Sequence, residues 1–184
     1  AIGGLLRSAT ALKSPAGGAR RKRPLEGKVL GLFFSKPSTR TRISFQVGMA
    51  QLGGTALFIP PADIQLRRGE TLEDTARVLS RYLDGLIIRT FEQSELEEWA
   101  RHATVPVING LSDLFHPCQI LADILTVKEH FGRLKGVKIA YIGDGNNVSH
   151  SWLLAAGILG LDLTLAVPKG FDPLPDVLRE ARER

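Results

Sequence analysis

Cysteine is almost missing from this chain: Cys118 is the single one among 184 residues. An intramolecular disulfide is therefore excluded, and with only 4 scattered histidines no zinc-type ligand spacing arises. A reducing compartment, the cytoplasm, is the expectation, with no metal. Aromatic residues are scarce at 7%, which leaves few platforms on which nucleic-acid bases stack. No apolar run approaches the length that spans a bilayer, and the first residues carry no signal-peptide core. Ala1 is not an initiator methionine. An upstream segment removed or omitted is thus part of the expectation, as is a mitochondrial matrix location should that segment be a targeting peptide.

What is present suits a folded enzyme. With 43% hydrophobic and 23% charged residues, the chain can bury a full core and is long enough for one domain plus part of another. The net charge of +5 and pI near 9.7 would suit an anionic partner. Much of that excess lies in Arg20-Arg21-Lys22-Arg23, flanked by Pro15, Gly17, Gly18 and Pro24. Without interleaved aromatics the run reads as a solvated loop, so neither nucleic acid nor membrane is expected as a partner; a basic nucleic-acid binder would show salt-sensitive binding through Arg20 to Arg23.

Hydrophobic periodicity alternates along the chain. Strands are predicted at 29–34, 55–59, 85–88 and 105–108, and helices at 39–52, from 71, at 92–102 and at 117–131. In the first of these helices Ile43, Val47 and Ala50 can share a face, and Gly53-Gly54 ends it. Thr71 is the expected cap of the next, with Asp74 three residues on. A polar stretch at 129–136 precedes a fresh strand–helix–strand–helix pattern at 137–142, 148–159, 163–167 and 173–184. The fold class is α/β: a parallel sheet flanked by helices over residues 1–132, followed by the start of a second, Rossmann-like α/β domain over 133–184.

Three strand ends carry the chemistry. Phe33-Phe34-Ser35-Lys36-Pro37-Ser38-Thr39-Arg40-Thr41-Arg42 sets hydroxyls, backbone donors and guanidiniums where an apolar strand turns into a helix. A helix N-terminus leaves N–H groups unpaired and carries roughly half a positive charge, so it attracts phosphate. Ser38 or Thr39 can cap the helix and donate to phosphate oxygens, and Arg40 can fork onto two of them. A lone Ser-Thr pair would read as an ordinary cap. Arg89 follows Gly85-Leu86-Ile87-Ile88, and His116-Pro117-Cys118-Gln119 follows the next apolar run. Both sit where open α/β sheets bind ligands. The alternatives are a surface ion pair of Arg89 with Glu92 or Glu95, a structural His116, and a thiol nucleophile at Cys118.

Taken together these segments resemble the aspartate/ornithine carbamoyltransferase family, whose phosphate loop reads Ser-Thr-Arg-Thr-Arg and whose second signature is His-Pro-x-Gln. Lys36 before Pro37-Ser38-Thr39, the run Asp74-Thr75-Ala76-Arg77-Val78-Leu79-Ser80-Arg81, and Gly143-Asp144-Gly145-Asn146-Asn147 with His150-Ser151 resemble the ornithine-specific branch. The likeness runs from about Leu25 to the last residue. It implies transfer of the carbamoyl group of carbamoyl phosphate to the δ-amine of ornithine, giving citrulline and phosphate in arginine biosynthesis. Acetylated ornithine, putrescine or aspartate as acceptor, and a non-catalytic carbamoyl-phosphate-binding fragment, are the alternatives.

The resemblance also implies roles. Ser38, Thr39, Arg40 and Thr41 hold the phosphate, and Gln65 reaches the phosphate of a neighbouring subunit, so a homotrimer with shared sites is the implied assembly. Arg89 lies between phosphate and carbonyl oxygen, His116 donates to that oxygen, and Gln119 accepts from the carbamoyl NH₂ in a pocket shaped by Pro117 and Cys118. The catalytic set is then Arg40, Arg89 and His116. Asn147 binds ornithine, and no metal or organic cofactor is implied. A covalent step through Cys118 is unneeded, because the acyl-type phosphate is already activated.

Two departures stand out. Arg67 occupies a position where the family commonly has glycine, which puts the Gln65 turn in question. A second-domain Asp, a Ser-Met-Gly loop and a His-Cys-Leu-Pro segment are absent, so the chain resembles the front part of a longer subunit. Gly143-x-Gly145 after a strand also opens a dinucleotide fingerprint, but Val148 stands at its third glycine and Val167-Pro168 ends the next strand without the ribose-binding acid.

Overall fold

The computed structural model describes residues 2–13 and 23–184. The basic run at 20–22 lies outside them, and Arg23 pairs with Glu26 at 3.0 Å, both exposed. The elements in chain order are α1 (Ile2–Lys13), β1 (Val29–Phe34), α2 (Arg40–Gln51), β2 (Thr55–Ile59), a 3₁₀ turn (Gln65–Arg68), α3 (Leu72–Leu79), β3 (Gly85–Arg89), α4 (Gln93–His102), β4 (Val107–Leu111), α5 (Pro117–Phe131), β5 (Lys138–Ile142), α6 (Asn147–Leu159), β6 (Asp162–Ala166) and α7 (Pro175–Glu183). Strands order as β2-β1-β3-β4 in one parallel sheet and as β5-β6 in a second. This is the expected α/β class, with crossover helices forced by parallel pairing. No helix among the described residues is long and apolar enough to cross a membrane.

Two compact units divide between Ser112 and Asp113. That point falls inside the span assigned above to the first domain, because α5 packs on α6. In the first unit β1 and β3 are central strands, and their side chains alternate between two covered faces. Phe33, Leu86 and Ile88 pack with Ala76, Leu96 and Trp99 under α3 and α4. Leu32, Phe34 and Ile87 face the other way, toward Phe45 of α2 and Phe58 of β2. Burial on both faces is why these strands read as continuous apolar runs. Each such side chain taken out of water contributes about 1.5–3 kcal/mol. The register sets Phe34 beside Arg89, so loop and arginine leave the sheet at the same edge.

The second unit buries less. Alternate residues of β5 and β6 are exposed, and Ile142 is 84% exposed. Its buried polar residues Ser149, His150 and Ser151 lie on α6, which packs on α5, α7 and β6.

Several boundaries differ from the sequence reading for local reasons. Strand β4 starts two residues late and runs to Leu111, because a bulge opposite Ile88 and Arg89 admits the extra residue. A Cβ at Gly110 would come 2.8 Å from Ile87 Cγ2, so the added length of β4 includes a close approach that glycine accommodates. The Ile43 and Val47 stripe of α2 stays exposed, and Met49 is buried instead. Pro175 sits in the first turn of α7, two residues after the predicted start. Helix α1 was not anticipated; Leu6 is its buried residue.

Candidate active site

In the first unit, β1 delivers the chain into Ser35 to Thr39, and the Ser35 N–H donates to the Arg89 carbonyl at 2.8 Å. This bond ties the phosphate-type loop to the end of the neighbouring strand. Ser38, not Thr39, acts as the local cap: its Oγ accepts from the Thr41 N–H at 3.3 Å, whereas Thr39 makes no side-chain cap bond. Thr39 and Arg40 are exposed, with Ser38 and Thr41 half-buried. No acidic residue occupies the first turn of α2, so nothing there neutralises the positive helix end.

Arg89 is half-buried, and desolvation draws its pKa below the usual guanidinium value. A guanidinium nevertheless stays charged at neutral pH. Its Nε is buried without a partner, and no ion pair to Glu92 or Glu95 forms among the described residues. Glu95 accepts instead from the Thr90 hydroxyl. The surface ion-pair alternative therefore fails, leaving a partly desolvated cation beside a bare helix N-terminus. Two flanking cations stack on rings: Lys36 Nζ lies 5.0 Å from the Phe91 centroid and Arg42 Cζ 4.6 Å from that of Phe58.

Gln65 is exposed and opens the 3₁₀ turn after β2. Gly69, at φ 98°, ends that turn in the left-handed region, and its N–H donates to the Gln65 carbonyl. Arg67 sits within the turn, and Arg23 is the sole non-glycine with positive φ among the described residues. The departure at Arg67 is thus absorbed by regular backbone.

In the second unit, His116 is the residue before α5, with Pro117 in the first turn. Its backbone N–H donates to Ser151 Oγ at 2.8 Å, and that hydroxyl donates to the Asn147 carbonyl at 2.8 Å. His116 and Asn147 are therefore joined through one side chain. Gln119 is exposed and donates from Nε2 to Asp123 at 2.8 Å, which leaves its Oε1 as the acceptor. Burial pushes the Cys118 thiol pKa up, away from thiolate chemistry. Asn146 caps α6, its Oδ1 accepting from the Val148 and Ser149 N–H groups at 2.8 and 3.3 Å. The role of Ser151 was not legible beforehand, since its partner is 35 residues away.

Among the described residues no group of three or more His, Cys, Asp or Glu is placed to hold a metal. A cleft of about 540 Å³ lined by Leu30, Phe45, Met49 and Ile87 opens at the opposite, N-terminal end of the strands. Its lysine, Lys28, is already paired with Asp84 at 2.7 Å.

Comparison with known proteins gives the family. The family model for the aspartate/ornithine carbamoyltransferase carbamoyl-P binding domain matches residues 1–129. The chain belongs to the aspartate/ornithine carbamoyltransferase family. The Asp/Orn binding domain model of the same family matches residues 135–184. An ornithine carbamoyltransferase of Halorhodospira halophila is 55% identical over 180 residues, covering 98% of this chain and 60% of that protein. One of Pelobacter propionicus is 59% identical over 160 residues, 87% of this chain and 52% of the other. The solved ornithine carbamoyltransferase of Pyrococcus furiosus superposes with a TM-score of 0.92 at 52% identity, covering 98% of this chain and 57% of that one. The chain thus spans at most three fifths of the length of these relatives.

Taken separately, the first unit exposes backbone donors, hydroxyls and guanidiniums at the start of α2, and the second carries His116, Gln119 and Asn147 around the start of α5 and α6.

Proposed function

We propose that the full-length protein transfers the carbamoyl group of carbamoyl phosphate to the δ-amine of ornithine. The observation that carries this reading is the Arg89 guanidinium, partly desolvated and without an acidic partner, tied through its own carbonyl to the Ser35 end of the phosphate loop. The names of the relatives support ornithine as the acceptor. Residues 1–132 form the carbamoyl-phosphate domain in this reading, and 133–184 begin the ornithine domain.

Carbamoyl phosphate joins an anionic leaving group to a weakly electrophilic carbonyl. Ser38, Thr39, Arg40 and Thr41 bind the phosphate, with Gln65 reaching that of a neighbouring subunit in a homotrimer. Arg89 and His116 donate to the carbonyl oxygen as negative charge grows there. Gln119 accepts from the carbamoyl NH₂, Pro117 and Cys118 wall the pocket, and Asn147 positions the amino acid. The δ-nitrogen attacks the carbonyl carbon, the bond from that carbon to the bridging oxygen breaks, phosphate leaves with the electron pair, and the new amide nitrogen gives its proton to the departing phosphate. The step needs no metal or organic cofactor. The setting is the cytoplasm, or the mitochondrial matrix in a eukaryote, and the product serves arginine synthesis.

The attacking amine must be neutral although its free pKa resembles that of lysine, about 10.4. Citrulline formation by the full-length protein should therefore show kcat/KM rising through mildly alkaline pH. A flat profile would contradict amine attack, and faster carbamoylation of acetylated ornithine, putrescine or aspartate would reassign the acceptor. Arg40→Ala should abolish carbamoyl-phosphate binding in calorimetry; near-normal affinity would refute its role.

A further inference from the structure

We propose that Ser151 and His150 are positioning residues for carbamoyl transfer: together they fix the backbone of His116 against the helix turn that carries Asn147. The proposal rests on the function proposed above and adds two residues that touch neither substrate.

The need for such a device follows from the local chain. His116 occupies the N-cap position of α5 with φ −134° and ψ 66°, outside the usual extended region, and it makes no side-chain cap bond. The first N–H groups of a helix have no acceptor within it, so α5 engages the His116 carbonyl, through the Ile120 N–H at 3.4 Å, and leaves the His116 N–H to be satisfied elsewhere. Ser151 satisfies it from across the unit. Its hydroxyl uses both capacities, accepting from His116 N–H and donating to the Asn147 carbonyl one turn back, each at 2.8 Å. A hydroxyl with a fixed proton direction is a stiff link, because turning it breaks both bonds at once.

His150 braces the same loop one step earlier. Its Nδ1 lies 3.1 Å from the Leu114 carbonyl, and its Nε2 accepts from the Leu174 N–H at 3.1 Å. An accepting Nε2 places the proton on Nδ1, so the ring is neutral and donates to Leu114. The residue is 4% exposed, and its ring meets Phe115 edge to face at 6.4 Å. Leu114, Phe115 and His116 are thus each held by α6: the first two by His150, the third by Ser151. Adjacent residues of one helix brace three successive residues of the loop that carries the proposed donor to the carbonyl oxygen. Two hydrogen-bonded, buried polar side chains are a costly way to fill a core, and packing alone would be served by apolar residues. Their geometry makes sense as alignment, where a misplacement of about 1 Å costs on the order of 10²-fold in rate.

The test is steady-state citrulline formation by the full-length protein and its variants, with carbamoyl-phosphate affinity by calorimetry and melting temperature measured alongside. Ser151→Ala should lower kcat at least tenfold while leaving carbamoyl-phosphate affinity within about threefold, since the proposed phosphate ligands lie in the other unit. Ser151→Thr, which keeps the hydroxyl, should recover most of the loss. At His150 the arms can be separated: His150→Asn retains a donor toward Leu114, and His150→Gln an acceptor toward Leu174. The Asn variant should keep the higher kcat, and this pair decides the matter if Ser151→Ala does not fold. A Ser151→Ala kcat within twofold of wild type, a loss that threonine does not restore, or equal kcat for the two His150 variants would overturn the proposal. A wild type that forms no citrulline would instead sink the functional reading on which it rests.

Discussion

The two compact units achieve order by different means. Residues 2–112 hold a parallel sheet whose central strands are buried on both faces, with Leu32, Leu86, Ile87 and Ile88 fully covered. Residues 113–184 hold a two-stranded sheet with one face largely open, Ile142 being 84% exposed, and rely on Ser149, His150, Ser151 and Asn146 to pin loops to α6. The lesson is that the proposed phosphate subsite inherits its rigidity from apolar packing, whereas the proposed carbonyl and amine groups inherit theirs from a polar knot. A non-directional force suffices to present a helix N-terminus. Placing an imidazole at its angle calls for directional bonds.

The sharpest way to break this contrast is to delete comparable apolar groups in each unit of the 184-residue chain. Ile87→Ala should cost about 2–5 kcal/mol by urea unfolding, and Ile142→Ala less than about 0.5 kcal/mol; similar losses would end the distinction. Next comes the turn ahead of α6, where a Cβ on Gly145 would lie 2.3 Å from Pro173 N and 2.4 Å from the Asp172 carbonyl carbon. Backbone atoms cannot swing aside, so Gly145→Ala should cost about 1–3 kcal/mol and shift the amide resonances of 171–174. Unchanged resonances there would show that the knot yields freely.

Helix caps give a finer comparison. Thr71 Oγ1 accepts one bond, from the Asp74 N–H at 3.1 Å, whereas Asn146 Oδ1 accepts two backbone N–H bonds and a longer one from the Tyr141 hydroxyl at 3.4 Å, and its Nδ2 donates to Asp144 at 2.7 Å. Thr71→Ala should cost about 1 kcal/mol and Asn146→Ala nearer the upper end of the range, about 2 kcal/mol; the reverse order would deny the polar knot its weight. The smallest effect concerns pH. Burial lowers the His150 pKa, outweighing the opposing bond to Leu114. The folded chain therefore binds fewer protons than the unfolded one, and this contribution is intact above the unfolded value of about 6.5. It is lost as pH falls from there through the depressed folded pKa. Denaturation midpoints should drop over that window in wild type and flatten in His150→Asn; parallel slopes would remove His150 from the account.

Much of the architecture was legible in the residues. The bounds of β1, β2 and α5 follow from apolar runs closed by polar or glycine punctuation, and Thr71 caps α3 as its spacing from Asp74 implies. The motif residues were legible as chemistry, because Ser-Thr-Arg-Thr-Arg and His-Pro-x-Gln each stand at a strand end. Less legible were α1, where Ile2, Leu5, Leu6 and Ala9 show helical spacing over a Gly-containing stretch, and the outward turn of Ile43 and Val47. On α2 apolar residues lie all round the helix, so periodicity offers no choice of face.

By itself the sequence determined the alternation of strand and helix, the family, and which side chains stand at the ends of strands, since these depend on local period and spacing. Only the tertiary structure decided that Ser38 rather than Thr39 caps α2, that Arg89 lacks an acidic partner while Glu95 turns to Thr90, and that Ser151 grips the His116 amide. Those outcomes hang on hydrogen-bond directions, and some of them on groups tens of residues apart. Direction and long-range proximity come into being when the sheet and helices close, and no window along the chain contains them.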